Sequence, residues 1–415
     1  MLEKSLHPTE PIYFPLTAPY NYQIKVFSRI PKDLNLCASN GTDSVESNVD
    51  RMRNVVEQQW VEASGVPVSE AKCSIIVPIH NEHAALPSML AALHMTCIPH
   101  SASVATIFIT NSCTDTSYQI VAGYLKEQGK LTEVTINKEK LGFNDSAVDD
   151  VALYVKVGNR EFVLLNTKTR GKANALNIGN QLALARGDKI ALSTDANNYL
   201  EPLAIPYIFG EAYNSIVKKV DSGAVFDGIV QAAHTPLKEC ENTPIIQKVH
   251  GHTMCGWLMA WDTEWLQSVG GVPEVACEDY ALGVLAELTE REHRHAYEAR
   301  IWGYTQGTLT EKISAYQRSV RGRLQLLQQY EDTYNQLPDI LKRDRFYMRQ
   351  FHQRFDYITS QILRHPQNAM SYLAQYALSE YALISERRKI KHNPKDHSWR
   401  PINSTKDPYA RLRRK

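Results

Sequence analysis

Six residues, Ser193-Thr-Asp-Ala-Asn-Asn198, follow directly on the apolar run Ile190-Ala191-Leu192. A carboxylate just past a strand end, with a second oxygen donor two residues on, can hold a divalent cation such as Mg2+ or Mn2+ against a diphosphate. Here the donors are Asp195 and the amide of Asn197, one negative charge fewer than two aspartates would bring. A polar turn that merely closes the strand is the plain alternative. A second acidic pair, Glu278-Asp279, precedes the apolar stripe Tyr280, Ala281, Val284, Leu285 and Leu288. At a helix N-terminus the dipole favours an ionised Asp279, which could take a proton from an attacking hydroxyl. Helix capping is the structural alternative for that pair. Arg318 and Arg321 are three apart on a later helical stretch and share a face, suited to a diphosphate or simply to solvent.

Several other chemistries drop out. No GxGxxG follows the first strand, and Arg170-Gly-Lys-Ala173 has neither the upstream glycine nor the Ser/Thr of a phosphate loop. His80-Asn-Glu-His83 has two histidines without further ligands nearby in sequence, so a capped helix start with a solvent-facing His83 is the expectation. The seven cysteines are odd in number and never closer than 15 apart, which suggests neither a disulfide framework nor a CxxC zinc site. His252 is expected to be a hydrogen-bonded core histidine, and Trp257, Trp261 and Trp302 are expected to pack in the core.

The elements that must position these groups follow from hydrophobic periodicity. Val49, Met52, Val56 and Trp60 recur at helical spacing, after a proline-rich start (Pro8, Pro11, Pro15, Pro19) that reads as an extended arm. Cys73-Ser-Ile-Ile-Val-Pro-Ile79 is a β-branched run of the buried parallel type, followed by Leu86, Met89, Leu90 and Leu93 at helical spacing. Strands near 104–109, 162–165 and 189–192 alternate with helices near 115–126, 171–186 and 202–218. That alternation implies a mostly parallel sheet covered on both faces, with ligands bound outside the carboxyl ends of its strands. Polar clusters stand at those ends: His80-Asn81-Glu82, Thr110-Asn111-Ser112 and Thr194-Asp195-Ala196-Asn197.

Six segments, taken in order, resemble the inverting, nucleotide-sugar-dependent glycosyltransferases of the GT-A fold, family 2 type. They are Ser74-Ile-Ile-Val-Pro-Ile-His-Asn-Glu82, Ile109-Thr-Asn-Ser-Cys-Thr-Asp-Thr-Ser117, Arg170-Gly-Lys-Ala-Asn-Ala-Leu-Asn177 with Ala185-Arg-Gly-Asp188, Ser193–Asn198, Gly270-Gly-Val-Pro-Glu274 with Glu278-Asp279, and Gln317-Arg-Ser-Val-Arg-Gly322. The resemblance spans roughly residues 73 to 322. It implies that Pro78, His80, Asn81, Glu82, Asn111, Asp115, Arg170, Lys172, Asn177, Thr194, Arg318 and Arg321 contact the nucleotide sugar, a UDP-sugar by default. It further implies Asp195 and Asn197 at the metal, and Asp279, beside Glu278, as the base that activates a hydroxyl acceptor. Two departures stand out: Thr110-Asn111 occupies the base-reading position where acidic residues are frequent, and Gly322 replaces the tryptophan that usually ends the last motif. A degenerate transferase serving as a nucleotide, sugar or membrane-surface binding module is the competing reading, and Asn197 favours it.

With 415 residues, 43% hydrophobic and 22% charged, the chain reads as an ordinary globular protein. It has no run of ~18 apolar residues and no signal-like start, so a cytoplasmic location and transfer to a soluble or peripheral acceptor are expected. The net charge of +1 conceals a basic end: residues 386 to 415 hold 11 Lys or Arg against 3 Asp or Glu. That tail reads as solvated, with peripheral membrane contact open to it and no nucleic-acid partner expected. The expected organisation is an arm and short helix over 1–70, a GT-A domain over 71–330, a helical region over 331–392 and the basic tail over 393–415. A hairpin is expected around Tyr154–Val157, within an insertion spanning 130–160.

Overall fold

Successive residues of a buried strand must find apolar partners on opposite sides, and the central strands do so. Ile75, Val77 and Ile79 enter one hydrophobic cluster while Ile76 enters a second; Phe108 and Ile107, and Leu192 and Ala191, divide the same way. The structure, a computed structural model, describes residues 45–139, 141, 148–233, 256–304, 309–333, 359, 362–363, 366 and 369–392. The expected arm, His252 and the basic tail lie outside these residues.

Ten strands form one sheet: β1 (Lys72–Ile79), β2 (Ser103–Asn111), β3 (Thr132–Thr135), β4 (Val151–Val157), β5 (Arg160–Thr167), β6 (Ile190–Thr194), β7 (Tyr199–Leu200), β8 (Gly223–Ala233), β9 (Leu258–Asp262) and β10 (Glu292–Tyr304). Their order is β3-β4-β5-β2-β1-β6-β9-β8-β10-β7. The centre, β5-β2-β1-β6, is parallel throughout, in keeping with its mostly buried, Ile- and Val-rich strands. The flanks are mixed. β4 forms the expected hairpin with β5 and pairs with β3, all antiparallel. On the other side β9 runs antiparallel to both β6 and β8, whereas β10 is parallel to β8.

Helices α1 (Val45–Ser64), α2 (Leu86–His94), α3 (Ser117–Gln128) and α5 (Ala204–Ile216) cover one face through Trp60, Leu90, Leu125 and Phe209. The Trp60 and Phe209 rings meet at 5.1 Å. Helices α4 (Lys172–Ala185), α6 (Thr263–Ser268), α7 (Glu278–Leu288) and α8 (Leu309–Thr333) cover the other through Leu176, Leu266, Leu282 and Leu326. A last helix, α9 (Ala369–His392), packs on α8 through Ala382, Leu383 and Val320. Among the described residues no helix is long and apolar enough to cross a membrane.

Candidate active site

Strand β1 lies between β2 and β6, so the chain's direction of travel across the sheet reverses there and the carboxyl ends of the three strands flank one crevice. Their tips are built tightly. The His80 Nδ1 lies 2.6 Å from the Asn111 carbonyl oxygen. Asn81, with φ of 55°, accepts at its side-chain oxygen from the Thr114 amide at 2.7 Å. The Glu82 amide donates to Ser117 Oγ, and Asp115 accepts from the amides of Ser117 and His83. Burial works against the Asp115 carboxylate, but those bonds outweigh it and hold the group below its usual range. His83 is exposed, as expected, and its ring reaches Asp115 at 2.9 Å. Pro78 lies inside β1 opposite Ile109, and is buried there. At the tip of β2, Asn111 donates from its side chain to the Gly171 carbonyl at 2.5 Å, which leaves its buried Oδ1 without a protein partner. Thr194, the last residue of β6, is fully buried with its hydroxyl also unpartnered.

The polar centre forms around Lys172, the first residue of α4. Its ammonium lies 2.6 Å from Asp195 Oδ1 and 3.0 Å from Glu278 Oε1, and donates to the Gly256 carbonyl at 3.2 Å. Asp279 closes the same cluster from α7: a Cβ added at Gly256 would come 2.7 Å from its Oδ2. Gly256, at φ +67°, is therefore the residue that lets a backbone carbonyl and a carboxylate approach one ammonium. Arg318 of α8 is the second cation, and Glu278, Asp279 and Asp195 all act to hold it charged against burial. Asp195 and Asp279, far apart in sequence, thus face a common centre.

The charges sort the carboxylates. Burial opposes the Lys172 ammonium, but Asp195, Glu278 and Asp279 more than offset it and keep it protonated. Burial would raise Glu278 too, yet Lys172 and Arg318 prevail and hold it below the usual range. Asp279 moves the other way: burial, then the neighbouring Glu278 carboxylate, push it up. The helix N-terminus does not by itself keep Asp279 at an ordinary carboxylate value, because a second anion sits next to it in a desolvated place. Burial likewise raises Asp195 despite its bond to Lys172.

Two of the residues that the resemblance placed at the nucleotide sugar, Arg321 and Asn177, touch other protein groups instead. Arg321 shares a helix with Arg318 but turns to a different partner, Glu386 of α9 at 2.5 Å, and is nearly buried there. Asn177 is committed to the backbone of Val272, donating to its carbonyl at 3.0 Å and accepting from its amide at 2.7 Å, so it secures the Gly270-Gly271 loop that leads to α7. Arg170 is exposed at the start of the α4 loop. Asp188 of the Ala185-Arg-Gly-Asp188 segment is buried, accepting from Ser74 Oγ at 2.7 Å and Arg186 Nε at 3.0 Å. The metal positions are intermediate: the turn at Asp195–Asn198 is anchored by Asn198, whose amide side chain donates to the Trp257 carbonyl at 2.7 Å, and Asn197 is partly buried. Trp261 and Trp302 are core residues, bonded to Asn180 and Glu201.

Sequence reasoning passed over Gly256 and Cys277. A Cβ at Gly322 would come within 2.3 Å of the Cys277 Cβ and 2.7 Å of its N. Glycine in place of tryptophan is therefore what lets α8 press against the residue that precedes Glu278. The only sequence signal for this was the departure itself.

No family model matches the chain, and no curated protein matches it in sequence. Among solved structures it is similar to a mannosyltransferase from Pyrobaculum calidifontis, PcManGT, in complex with GDP-Man and Mn2+, at 14% identity over 82% of this chain and 96% of that one, with a TM-score of 0.43. It is also similar to TarS residues 1–349 from S. aureus in complex with UDP, at 14% identity over 80% of this chain and 93% of that one, with a TM-score of 0.37. The architecture, a parallel centre with helices on both faces and polar strand tips at the crossover, is the α/β arrangement that the resemblance to GT-A proteins implies.

Proposed function

We propose that the protein is an inverting glycosyltransferase that moves a sugar from a nucleoside-diphosphate sugar, UDP-linked by default, to a hydroxyl acceptor. The observation that carries this reading is the meeting of Asp195, Glu278 and Asp279 around Lys172, with Arg318 beside them, at the crossover point of the sheet. Sugar transfer needs cationic groups where a diphosphate departs and a carboxylate where a hydroxyl loses its proton. Lys172 and Arg318 supply the first. Asp279 supplies the second: its raised pKa makes it the better proton acceptor of the acidic pair, while Glu278 stays ionised and holds Lys172 in place. Attack from the Asp279 side, opposite the leaving group, inverts the anomeric carbon. The unpartnered buried Asn111 Oδ1 supports a nucleobase at the tip of β2, since a buried acceptor calls for a donor.

A divalent cation fits the donor chemistry at Asp195 and Asn197: the ion pair with Lys172 uses Oδ1, which leaves Oδ2 and the Asn197 amide as two hard oxygens. Bound there, Mg2+ or Mn2+ would neutralise part of the diphosphate charge. Three carboxylates against Lys172 and Arg318 make the centre one charge negative, a deficit that favours such an ion.

Two measurements test the reading. Nucleotide sugars incubated with the protein should be hydrolysed or transferred selectively, and Asp279→Asn should lower the rate by roughly 10²–10⁴-fold, the span of general-base catalysis, with nucleoside diphosphate affinity nearly unchanged. Binding of a nucleoside diphosphate with no turnover of any donor would favour the binding-module reading that Asn197 leaves open. No binding of any nucleoside diphosphate would end the transferase reading and favour a sugar or membrane-surface module.

A further inference from the structure

Three polar side chains on the β8–β10 side of the sheet have no part in the proposed transfer. Asp227 of β8 is fully buried, and the side chains of His293 and His295 of β10 are only 8% and 13% exposed. Register brings them together. In the parallel β8–β10 ladder Val225 stands opposite His293 and Asp227 opposite His295, and residues two apart on a strand project to one face. That face carries Val225, Met259 and Trp261, members of the cluster covered by α7, where a strand ordinarily presents apolar side chains. Asp227 Oδ1 lies 3.1 Å from His293 Nε2 and also contacts His295 Nδ1. The two imidazole rings meet edge to face at 4.7 Å.

We infer that Asp227, His293 and His295 form a binding site for a transition-metal dication of the Zn2+ type, a clamp that joins β8 to β10 and is separate from the cation at Asp195. One carboxylate oxygen and two imidazole nitrogens, all within 4.8 Å of one another, are three ligand atoms on two adjacent strands. Tetrahedral zinc, with bonds of about 2.0–2.1 Å, sets its ligand atoms roughly 3.3 Å apart. The present spacing is close enough for small side-chain rotations to reach it. The fourth position falls to water, because both histidines keep an edge to solvent. Imidazole-rich sites select Zn2+, Co2+, Ni2+ or Cu2+ over Mg2+ and Mn2+, whereas Asp195 with Asn197 offers only oxygen. Nor can one ion serve both places. Asp227 pairs with Met259 of β9 and Met259 with Ser193 of β6, two strand spacings or about 10 Å across the sheet.

The rival is a carboxylate hydrogen-bonded to two histidines and nothing more. It spends two histidines on one carboxylate where one would suffice. A metal uses all three groups and explains why they occupy a strand face among Val225, Met259 and Trp261. Its place in the fold gives it work to do. The register of the β8–β10 ladder breaks between Ala296 and Arg300, just past His295, so a cross-strand bond there holds the pairing on the near side of the irregularity.

The test is independent of the transfer reaction. The full chain, stripped by chelator and dialysed, is titrated with Zn2+, Co2+, Mn2+ and Mg2+, with the heat of binding, the melting temperature and the visible Co2+ spectrum recorded. One Zn2+ per chain should bind, Co2+ should give the absorption of a nitrogen- and oxygen-ligated ion, and Mn2+ or Mg2+ should not compete. His295→Gln should weaken Zn2+ by at least about 100-fold, since even the outer hydrogen-bond partners of metal ligands are worth ~10–100-fold. Where His295→Gln does not fold, Asp227→Asn, which keeps the shape, serves in its place, and the Co2+ spectrum of the unaltered chain decides alone. Equal Zn2+ binding by the unaltered and altered chains, a thiolate-type Co2+ spectrum, or no binding by the unaltered chain would each overturn the site and leave a hydrogen-bonded triad.

Discussion

The contact between Gly322 and Cys277 joins α8, the helix that carries Arg318, to the acidic pair at the start of α7, and Gly322→Ala tests that joint. The added Cβ would lie 2.3 Å from the Cys277 Cβ, 2.7 Å from its N and 3.1 Å from its Cα. Carbon atoms in contact sit about 3.5–4.0 Å apart, so α8 and the start of α7 must separate by roughly 1 Å or more. No rotamer change can relieve this, because the opposing atoms are backbone and Cβ. Alanine gains ~0.5–1 kcal/mol over glycine within a helix, whereas overpacking costs about 1–3 kcal/mol, so the net loss of stability should not exceed about 2 kcal/mol. Activity should suffer more, since Glu278 and Asp279 follow Cys277 directly and a ~1 Å displacement of a catalytic group costs on the order of 100-fold. The assay is kcat and KM for the nucleotide sugar that proves to be the donor, with a thermal melt in parallel. We expect kcat down about 100-fold and nucleotide affinity changed far less, with Cys277→Gly in the same chain recovering part of the loss by removing the closest contact. An unchanged kcat with an unchanged melting temperature would refute the idea that α8 sets the position of the acidic pair.

The rate should fall with decreasing pH through a midpoint above the ordinary aspartate range, because a base whose pKa is raised by burial and by Glu278 is protonated early; a midpoint at or below the free value of about 3.9 would contradict the assignment. Glu386→Leu should lower stability by about 3–5 kcal/mol, as expected when one member of a buried ion pair is removed and Arg321 remains; denaturant melts should show most of that returning in the Arg321→Leu, Glu386→Leu double variant. Asn177→Ala deprives both backbone groups of Val272 of their partner and should cost about 1–3 kcal/mol, with kcat lowered more than nucleotide affinity if the Gly270-Gly271 loop carries α7 into place.

The sequence alone determined the alternation of strands and helices, because the buried parallel strands at 72–79, 103–111 and 190–194 are short and mostly apolar, rich in Ile and Val, and the helices between them keep their stripes. It also located the polar tips, since in such a sheet chemistry can sit only where strands end. Asp195 could be nominated on that ground, whereas Lys172, Glu278 and Asp279, at helix starts, are nominated by the resemblance to GT-A transferases. Contacts between residues far apart in the chain were another matter. Spacing put Arg318 and Arg321 on one helix face, but Glu386, on a helix more than sixty residues away, claims the second and leaves only the first for the charged centre. Asn177 looked like a ligand-facing residue until the return of the chain through Val272 engaged both ends of its amide. Asp227 lies 66 residues before His293, and only the parallel register of β8 on β10 makes them neighbours. The physical reason is common to all three: periodicity records which side of an element is buried, whereas a polar side chain is assigned by whichever complementary group the fold carries to within about 3 Å of it.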